Sequence, residues 1–425
     1  MCMLRRLRNF CIPCVTTMVL VCFSDAVAQT SFTVTDLGIL RDAWNMSCAM
    51  AVNNHGWALT QNGFLPSNSP SGVNPFPARD TINIGELKID LGSLGGPNSN
   101  TWMNWGGIND RGEAVGISET LVPDPDGEDV CSLGTGLTCR PFLWQDSHMR
   151  ALPTLGGNNG QASDINNRGQ IAGTADTTFT ESKCPNPSQH ISLPVIWEHG
   201  KVRQLPMVGD DPDGFAFAIN DLGQVAGYTG TCGSANAIHA VVWENNTAFL
   251  LDDFKTGAQG MGINNLGQVV GIVASPDKST IYAALWQNRA LTNLGTLPGD
   301  FAAIATGINS RGQVVGSTLD SNFNWSHAFI WQNGVMTDLN TLFPASSNLF
   351  ATMANKINEH GQIVGMGTVL SGPHAGETHA FLATPVNASV GASVADVAPT
   401  RPASKLPENV GKQFLHRLGP GRFGR

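Results

Sequence analysis

The sequence predicts an all-β protein assembled from seven copies of one structural unit. A short motif, written INSRGQVVG at residues 308–316, recurs in seven versions along the 425 residues. Charged residues make up only 13 % of the chain, whereas Gly and Pro are frequent, with 48 and 24 copies. This composition is typical of a turn-rich protein with well-buried strands. The asparagines of the seven motifs are 44 to 57 residues apart, at positions 53, 109, 166, 220, 264, 309 and 358.

Each copy of the motif predicts a hairpin turn between two strands. The asparagine can accept a hydrogen bond from the backbone two residues on, and the glycine three residues later tolerates a positive φ. Asn-x-x-Gly between two apolar runs is therefore a tight turn. The Val-Val or Ile-Val that follows does not alternate with polar residues, which indicates a strand buried on both faces. We interpret the motif as a determinant of shape, without chemistry of its own.

Each unit predicts four strands. After the motif comes an apolar run such as HAFIW (327–331), and a turn and a further strand such as MTDLNTL (336–342) follow. Four strands per repeat of this length form a propeller blade. The sequence thus predicts a seven-bladed β-propeller with four-stranded antiparallel blades over residues 29–385. Tryptophans that end the apolar run in five units are interpreted as packing between blades: Trp144, Trp197, Trp243, Trp286 and Trp331.

The two ends of the repeat array predict how the ring closes. The seventh unit stops at HAFLATP, residues 379–385, and lacks a fourth strand. SFTVTDLGIL, residues 31–40, is typical of a fourth strand but follows no unit. We predict that this segment completes the last blade. Burial of its apolar side chains contributes on the order of 6–12 kcal/mol before the entropy cost is subtracted.

Taken together, these motifs resemble the extracellular HAF-repeat family. The tripeptide that names the family stands at 327–329 and 379–381, with variants at 239–241 and 282–284. The resemblance covers about residues 31–385 and is weakest in the first unit. It implies an exported repeat protein and no assigned reaction.

Both ends of the chain are predicted to lie outside the folded domain. Residues 1–28 combine Arg5, Arg6 and Arg8 with an apolar run and an Ala-Val-Ala cleavage site, as in a signal peptide. The apolar run is shorter than the ~20 residues that cross a bilayer, so no membrane span is expected. Residues 386–425 are rich in Ala and Pro and then basic, which predicts a disordered extension. We therefore expect a secreted or periplasmic protein, and a monomer.

The charge limits the classes of partner that we expect, and the cysteine content indicates which disulfides can form in an oxidising compartment. The formal net charge is −9 although the C-terminal extension is basic, so nucleic acid is not expected as a partner. In an oxidising compartment, Cys131 and Cys139 are the plausible local disulfide. The pairing of Cys48, Cys184 and Cys232 stays open, and because the number of cysteines after the signal peptide is odd, at least one thiol stays free or pairs between chains.

Candidate ligand-binding residues lie in the loops that do not recur. The loop between the second and third strands is longer in units one to three, and it emerges on the same face as the connections between blades. Aromatic rings beside carboxylates and amides suit a neutral polyhydroxylated ligand. The alternative is solvated loops with incidental packing residues. The candidates in these connections are Trp44, Trp102, Asn104, Trp105, Asp210, Asp211, Asp213 and Asp300.

No cofactor, metal site or catalytic residue is predicted. The acidic stretches 124–129 and 210–214 resemble fragments of calcium loops but lack the terminal Glu of that pattern, so Ca²⁺ is a minor alternative. The HAF histidines lie on different blades and cannot converge on one ion. We predict a secreted binding or interaction module that recognises a glycan or a surface protein through the long loops of blades one to three. The alternative is a propeller-type hydrolase or lyase that acts on extracellular polysaccharide with loop carboxylates, and enzymatic activity is left open.

Overall fold

The computed structural model describes residues 30–41, 44–63, 78–101, 106–128, 130–131, 133–180, 190–231, 236–251, 256–277 and 279–386. The predicted signal peptide and nearly all of the predicted C-terminal extension lie outside these residues. The described part contains 28 strands and one short 3₁₀ helix, Leu339–Leu342. The prediction of an all-β fold is therefore confirmed. Among the described residues, no helix has the length and apolar character needed to cross a membrane.

The strands follow the repeats in chain order, and β1 (Phe32–Gly38) precedes the first repeat. The strands of repeats one to three are β2 (Met46–Val52), β3 (Ala58–Gly63), β4 (Ala78–Ile84), β5 (Leu87–Asp90), β6 (Ser99–Asn100), β7 (Ala114–Pro123), β8 (Leu137–Gln145), β9 (His148–Ala151), β10 (Gly156–Ile165), β11 (Ile171–Thr180), β12 (His190–Glu198) and β13 (Lys201–Gln204). Those of repeats four to seven are β14 (Asp213–Ile219), β15 (Val225–Thr231), β16 (Asn236–Glu244), β17 (Thr247–Leu250), β18 (Ala258–Ile263), β19 (Val269–Ala274), β20 (Ile281–Gln287), β21 (Ala290–Asn293), β22 (Ala302–Ile308), β23 (Val314–Leu319), β24 (Trp325–Gln332), β25 (Val335–Asp338), β26 (Leu349–Ile357), β27 (Ile363–Val369) and β28 (Thr378–Pro385).

Repeats two to six each form a separate four-stranded antiparallel sheet in which the strands lie in chain order. The strands of repeats one and seven share a sheet of eight strands, because β2 and β28 touch at one parallel pair, Met46 and Thr378. Strand β1 pairs with β28 in antiparallel register, from Phe32 opposite Pro385 to Asp36 opposite Phe381. The segment before the first repeat thus lies on the strands of the last one.

The recurring motif forms the turn between the first and second strands of each repeat, as the sequence predicts. In the sixth repeat the Oδ1 atom of Asn309 accepts hydrogen bonds from the backbone N–H groups of Arg311 and Gln313, at 3.1 and 3.2 Å. Gly312 has a φ of +73°, which a side chain would strain. The other motif glycines have φ values between +73° and +82°, at Gly56, Gly112, Gly169, Gly223, Gly267 and Gly361.

The motif asparagines also join the repeats to one another, which the sequence did not predict. The Nδ2 atom of Asn309 donates to the backbone carbonyl of Asn358, the motif asparagine of the next repeat, over 3.1 Å. The same hydrogen bond links every repeat to its successor, at 2.8 to 3.2 Å. Asn358 donates in turn to the carbonyl of Asn53 in the first repeat, over 2.8 Å. Each motif thus forms a turn and also joins neighbouring sheets by a hydrogen bond.

Hydrophobic clusters fill the spaces between consecutive repeats. The recurring tryptophans belong to these clusters, which confirms their packing role. Trp197 and Trp243 are almost fully buried, and their indole N–H groups donate over 2.7 Å to the carbonyls of Pro153 and Pro206 at the end of the preceding repeat. A further cluster takes side chains from the first strands of five repeats, among them Met50, Phe217, Met261, Ile304 and Met353.

Candidate functional site

The two ends of the sheets differ in character. The motif turns lie at one end, which we call the turn face. The loops between second and third strands, and the connections between repeats, lie at the opposite end, which we call the loop face. The sequence-predicted ligand candidates that the structure describes belong to the loop face or to strands that begin there.

The loop face is elaborated at repeats two and three. Strands β7 and β11 are both 10 residues long, whereas β15, β19, β23 and β27 have 6 or 7 residues. The ends of the two long strands carry apolar side chains in solvent: Leu121 is 75 % exposed, Val122 59 % and Phe179 71 %. These three exposed apolar side chains stand at the same face of two consecutive repeats. We call Leu121, Val122 and Phe179 the apolar rim.

A network of carboxylates, amides and one histidine joins the loops of repeats two and three. Asn159 donates to Asp124 over 2.7 Å and to Glu128 over 3.1 Å. The Nε2 atom of His190 lies 3.0 Å from Asp126, and its backbone N–H donates to Glu128 over 2.9 Å. This is the acidic stretch that resembles a calcium loop. Its carboxylates accept hydrogen bonds from protein donors, which stabilise the negative charge without requiring a cation.

The carboxylates of this network affect the pKa of His190. Burial lowers the pKa of His190, but the hydrogen bond to Asp126 and the charge of Glu128 raise it by more, so the pKa lies above its ordinary value. When the ring is protonated, it forms an ion pair with Asp126. The network thus holds the loops of repeats two and three together by charge-assisted hydrogen bonds.

A disulfide constrains the same region. Cys131, in the loop between β7 and β8, and Cys139, on β8, are bonded with Cα atoms 5.8 Å apart, and both are buried. Among the described residues, Cys48 is the free cysteine, and burial raises the pKa of its thiol to about 12. Cys184 and Cys232 lie outside the described residues. The disulfide therefore ties the loop between β7 and β8 to β8 itself.

Asp211 and Asp300 occupy equivalent positions, just before the first strands of repeats four and six. Each binds the histidine of its own HAF-like tripeptide: Asp211 lies 2.7 Å from His239 and Asp300 lies 2.8 Å from His327. Asp300 also accepts hydrogen bonds from Thr318 and Ser326, at 2.5 and 2.7 Å. Burial raises the pKa of Asp300, but these hydrogen bonds outweigh it and hold the pKa below its ordinary value. The two carboxylates are thus engaged within separate sheets.

The remaining sequence-predicted candidates are scattered. Trp44 is 5 % exposed, and the guanidinium of Arg41 lies 5.0 Å from its ring centre, which favours the packing alternative for this residue. Asp213 is buried and accepts a hydrogen bond from the backbone N–H of Ser192 over 2.9 Å. Asp210 is exposed. Trp102, Asn104 and Trp105 lie outside the described residues.

Two buried carboxylates were missed by sequence reasoning, because nothing in their local sequence distinguishes them from strand residues. Asp80 on β4 accepts hydrogen bonds from Thr101 with one oxygen, and Asp176 on β11 accepts one from Ser192. Within the described part of the chain, the second oxygen of each has no partner. Burial raises the pKa of Asp80 and of Asp176 to about 7.

The turn face carries a polar pocket of about 140 Å³ among the motif turns. Its wall includes the residues that follow the motif asparagines, which also bond between repeats. Asn167 donates from its backbone to Asp221 over 2.8 Å, and Asp110 donates in the same way to Asn167 over 2.9 Å. Pockets that hold a drug-sized ligand are about 300–1,000 Å³. The volume of this pocket is below that range.

An ion pair joins the first strands of repeats three and seven. The Nζ atom of Lys356 on β26 lies 3.5 Å from the Oδ2 atom of Asp164 on β10. Both residues stand two positions before a motif asparagine, where the other repeats have Ala51, Gly107, Ala218, Gly262 and Gly307. Two non-consecutive repeats are therefore in direct contact through their first strands.

Comparison with known proteins finds no family model and no curated protein that matches the chain. Among solved structures, the chain is similar to the β-propeller domain of the Trilobed protease from Pyrococcus furiosus, with 12 % identity over 68 % of this chain and 79 % of that one and a TM-score of 0.43. It is also similar to a protein of unknown function from Dyadobacter fermentans, with 10 % identity, coverages of 83 % and 99 % and a TM-score of 0.40. A fungal alcohol oxidase of the AA5 family shows 11 % identity, coverages of 83 % and 75 % and a TM-score of 0.44. Likenesses this distant carry no information about function.

Proposed function

We propose that the seven repeats are the seven blades of a β-propeller and that β1 supplies the fourth strand of the last blade. Two observations support this. The eight-stranded sheet divides at its single parallel pair into β2–β5 and a group of β26, β27, β28 and β1, which have the same size as the other five sheets. The asparagine hydrogen bonds run through all seven motifs and return from Asn358 to Asn53.

We further propose that the protein is a secreted binding module of the HAF-repeat type whose partner is a surface protein. The apolar rim is the observation that carries this proposal. Leu121, Val122 and Phe179 stand on extended strands that the disulfide and the network around His190 hold in place. Rigid apolar side chains lose little entropy on binding, so they are suited to be the energetic centre of an interface. Secretion is supported by the sequence of residues 1–28.

The arrangement of carboxylates favours a binding module over the hydrolase or lyase alternative. A glycosidase needs two carboxyl groups about 5–9.5 Å apart, with one of them free to act on water or substrate. Asp211 and Asp300 belong to separate sheets, and each is bonded to the histidine and hydroxyl groups of its own sheet. If the alternative were right, Asp300→Asn would abolish turnover of an extracellular polysaccharide in a product assay; in a binding module, there is no turnover to lose.

The proposal is tested by removing the apolar rim. The triple variant Leu121→Ser, Val122→Ser, Phe179→Ser should bind at least about tenfold less to the surface of the cells that produce the protein, since each lost apolar anchor costs more than about 1 kcal/mol. The measurement is flow cytometry with labelled protein. The matched control is Leu222→Ser, Leu266→Ser, which removes two exposed leucines from the turn face.

Unchanged binding by the triple variant, or an equal loss in the control, would contradict the assignment of the apolar rim. A glycan array on the same preparations separates the two partner classes. Saturable binding to one glycan that survives the triple substitution would replace the protein partner by a carbohydrate bound elsewhere on the loop face.

A further inference from the structure

The loop between β27 and β28 brings two histidines and one glutamate together at the loop face. The Oε2 atom of Glu377 lies 3.0 Å from Nδ1 of His374 and 3.2 Å from Nε2 of His379. All three ligand atoms lie within 4.8 Å of one another. Two imidazole nitrogens and one carboxylate oxygen form a common donor set for Zn²⁺.

The distances suit a tetrahedral ion. Ligands at about 2.0–2.1 Å from a tetrahedral zinc are about 3.3 Å from one another. The two separations from Glu377, 3.0 and 3.2 Å, are already close to that value. Small movements of the exposed His374 side chain are therefore enough to place three ligands around one ion. The fourth position would face solvent, because the side chain of His374 is 55 % exposed.

A further carboxylate orients the buried ligand. The side chain of His379 is 5 % exposed, and its Nδ1 atom lies 2.8 Å from Asp36 on β1. A carboxylate that binds one imidazole nitrogen directs the other nitrogen towards a metal and makes it a better donor. With Nδ1 engaged by Asp36, the Nε2 atom of His379 is the one that points to Glu377.

The donor set is particular to the seventh repeat. The residue two positions before the tripeptide histidine is Glu377 in this repeat, but it is Trp325 before His327 and Ala237 before His239. The other two Asp–His pairs therefore lack the neighbouring carboxylate. The loop that carries His374 folds back because Gly372 and Gly376 both have a φ of +88°.

We propose that His374, Glu377 and His379 bind one Zn²⁺ ion, with Asp36 as the residue that positions His379. The ion links the β27–β28 loop to β28 and, through Asp36, to β1. Neither the apolar rim nor the identity of the partner enters this proposal.

The test is titration of the chelator-treated full chain with ZnCl₂ by calorimetry, together with Co²⁺ as a spectroscopic probe. We expect one equivalent of zinc per chain and the visible absorption of tetrahedral Co²⁺. His374→Ala and Glu377→Gln should each weaken zinc binding at least about tenfold and remove the cobalt spectrum. Asp36→Asn should weaken zinc binding by about 10–100-fold while leaving a tetrahedral spectrum.

The control is His360→Ala, which removes an exposed histidine from the turn face of the same repeat and should bind zinc like the parent protein. Thermal melts in chelator show that each variant is folded before titration. The proposal is overturned if the parent protein takes up no stoichiometric zinc, or if His374→Ala binds zinc as tightly as the parent does.

Discussion

The side-chain amide of Asn358 donates a hydrogen bond to the backbone carbonyl of Asn53, 305 residues away in sequence, over a distance of 2.8 Å. The same asparagine accepts hydrogen bonds from its own turn, from the backbone N–H groups of His360 and Gln362. The Oδ1 atom of Asn358 therefore stabilises its own hairpin turn, and the Nδ2 atom forms the hydrogen bond to another repeat. These two roles can be separated by substitution, because aspartate keeps the acceptor and loses the donor.

Asn309→Asp should lower the free energy of unfolding by about 2–3 kcal/mol, because it leaves the buried carbonyl of Asn358 without a donor. It also places a carboxylate beside the Oε1 atom of Gln313. In the parent protein this oxygen accepts a hydrogen bond from the side-chain amide of Asn309. Urea denaturation measures the effect. Asn333→Asp, in an exposed turn of the same sheet, is the control and should change the value by less than about 0.5 kcal/mol. Equal effects of the two substitutions would mean that the amide donor is not needed.

Deletion of residues 31–40 should abolish cooperative unfolding, because β28 would lose one of its two antiparallel partners and the cluster around Phe32 would be opened to water. Calorimetry should show no single sharp transition. The point substitution Phe32→Ala should destabilise by about 3 kcal/mol, whereas Thr35→Ala, on the exposed side of β1, should have little effect. A truncated chain that melts like the full protein would refute the role given to β1.

Asp300→Ala should lower the free energy of unfolding by about 2–3 kcal/mol, because Thr318, Ser326 and His327 lose their common acceptor. The matched variant is Asp210→Ala, which removes an exposed carboxylate from the same face and should cost less than about 0.5 kcal/mol. Denaturant titration compares the two. If Asp300→Ala were as stable as Asp210→Ala, the Asp–His pairs would not be structural and a ligand-binding role would gain support.

The buried carboxyl groups of Asp80 and Asp176 should make stability fall as pH rises. Burial raises both pKa values to about 7, above the value of 3.8 for a solvated aspartate, so the folded protein binds more protons than the unfolded one between these limits. Their contribution is full below pH 4 and is lost as pH rises through 7. Between pH 5 and pH 8 the free energy of unfolding of the parent protein should decrease. Asp80→Asn and Asp176→Asn should each make this decrease smaller by on the order of 1–4 kcal/mol.

The measurement is the free energy of unfolding of each variant minus that of the parent across this range, with Asp146→Asn at an exposed turn as control. A difference that does not change with pH would show that neither Asp80 nor Asp176 is protonated in the folded state.

Much of the architecture could be predicted because residues that are close in sequence determine it. The Asn-x-x-Gly turn depends on residues three positions apart, and the burial of Trp197 depends on its own strand and the sheet beside it. The hydrogen bond from Asn358 to Asn53 could not be predicted in this way, since it requires knowing where the next repeat lies. The residues of the proposed zinc site were missed for a related reason. His374 reaches Glu377 and His379 only because the two glycines of the loop turn it back.

Candidate ligand residues were harder to predict than strands. Asp211 and Asp300 were singled out as loop carboxylates, yet each is bonded to a histidine that the sequence places about 27 residues later. The apolar rim was not recognised, because Leu121, Val122 and Phe179 resemble interior strand residues until the extra length of β7 and β11 is known. The sequence places the long loops in units one to three; the second strands of repeats two and three are long, whereas residues 64–77 of repeat one lie outside the described residues.

The antiparallel pairing of β1 with β28 also has a consequence for engineering. The backbone N–H of Val386 donates to the carbonyl of Ser31 over 2.8 Å, so the first and last described strands finish side by side. A few glycines and serines would join these points covalently, and the chain could then be opened between any two neighbouring sheets. Such circular permutants would show which junction between repeats tolerates a break and which one the fold needs intact.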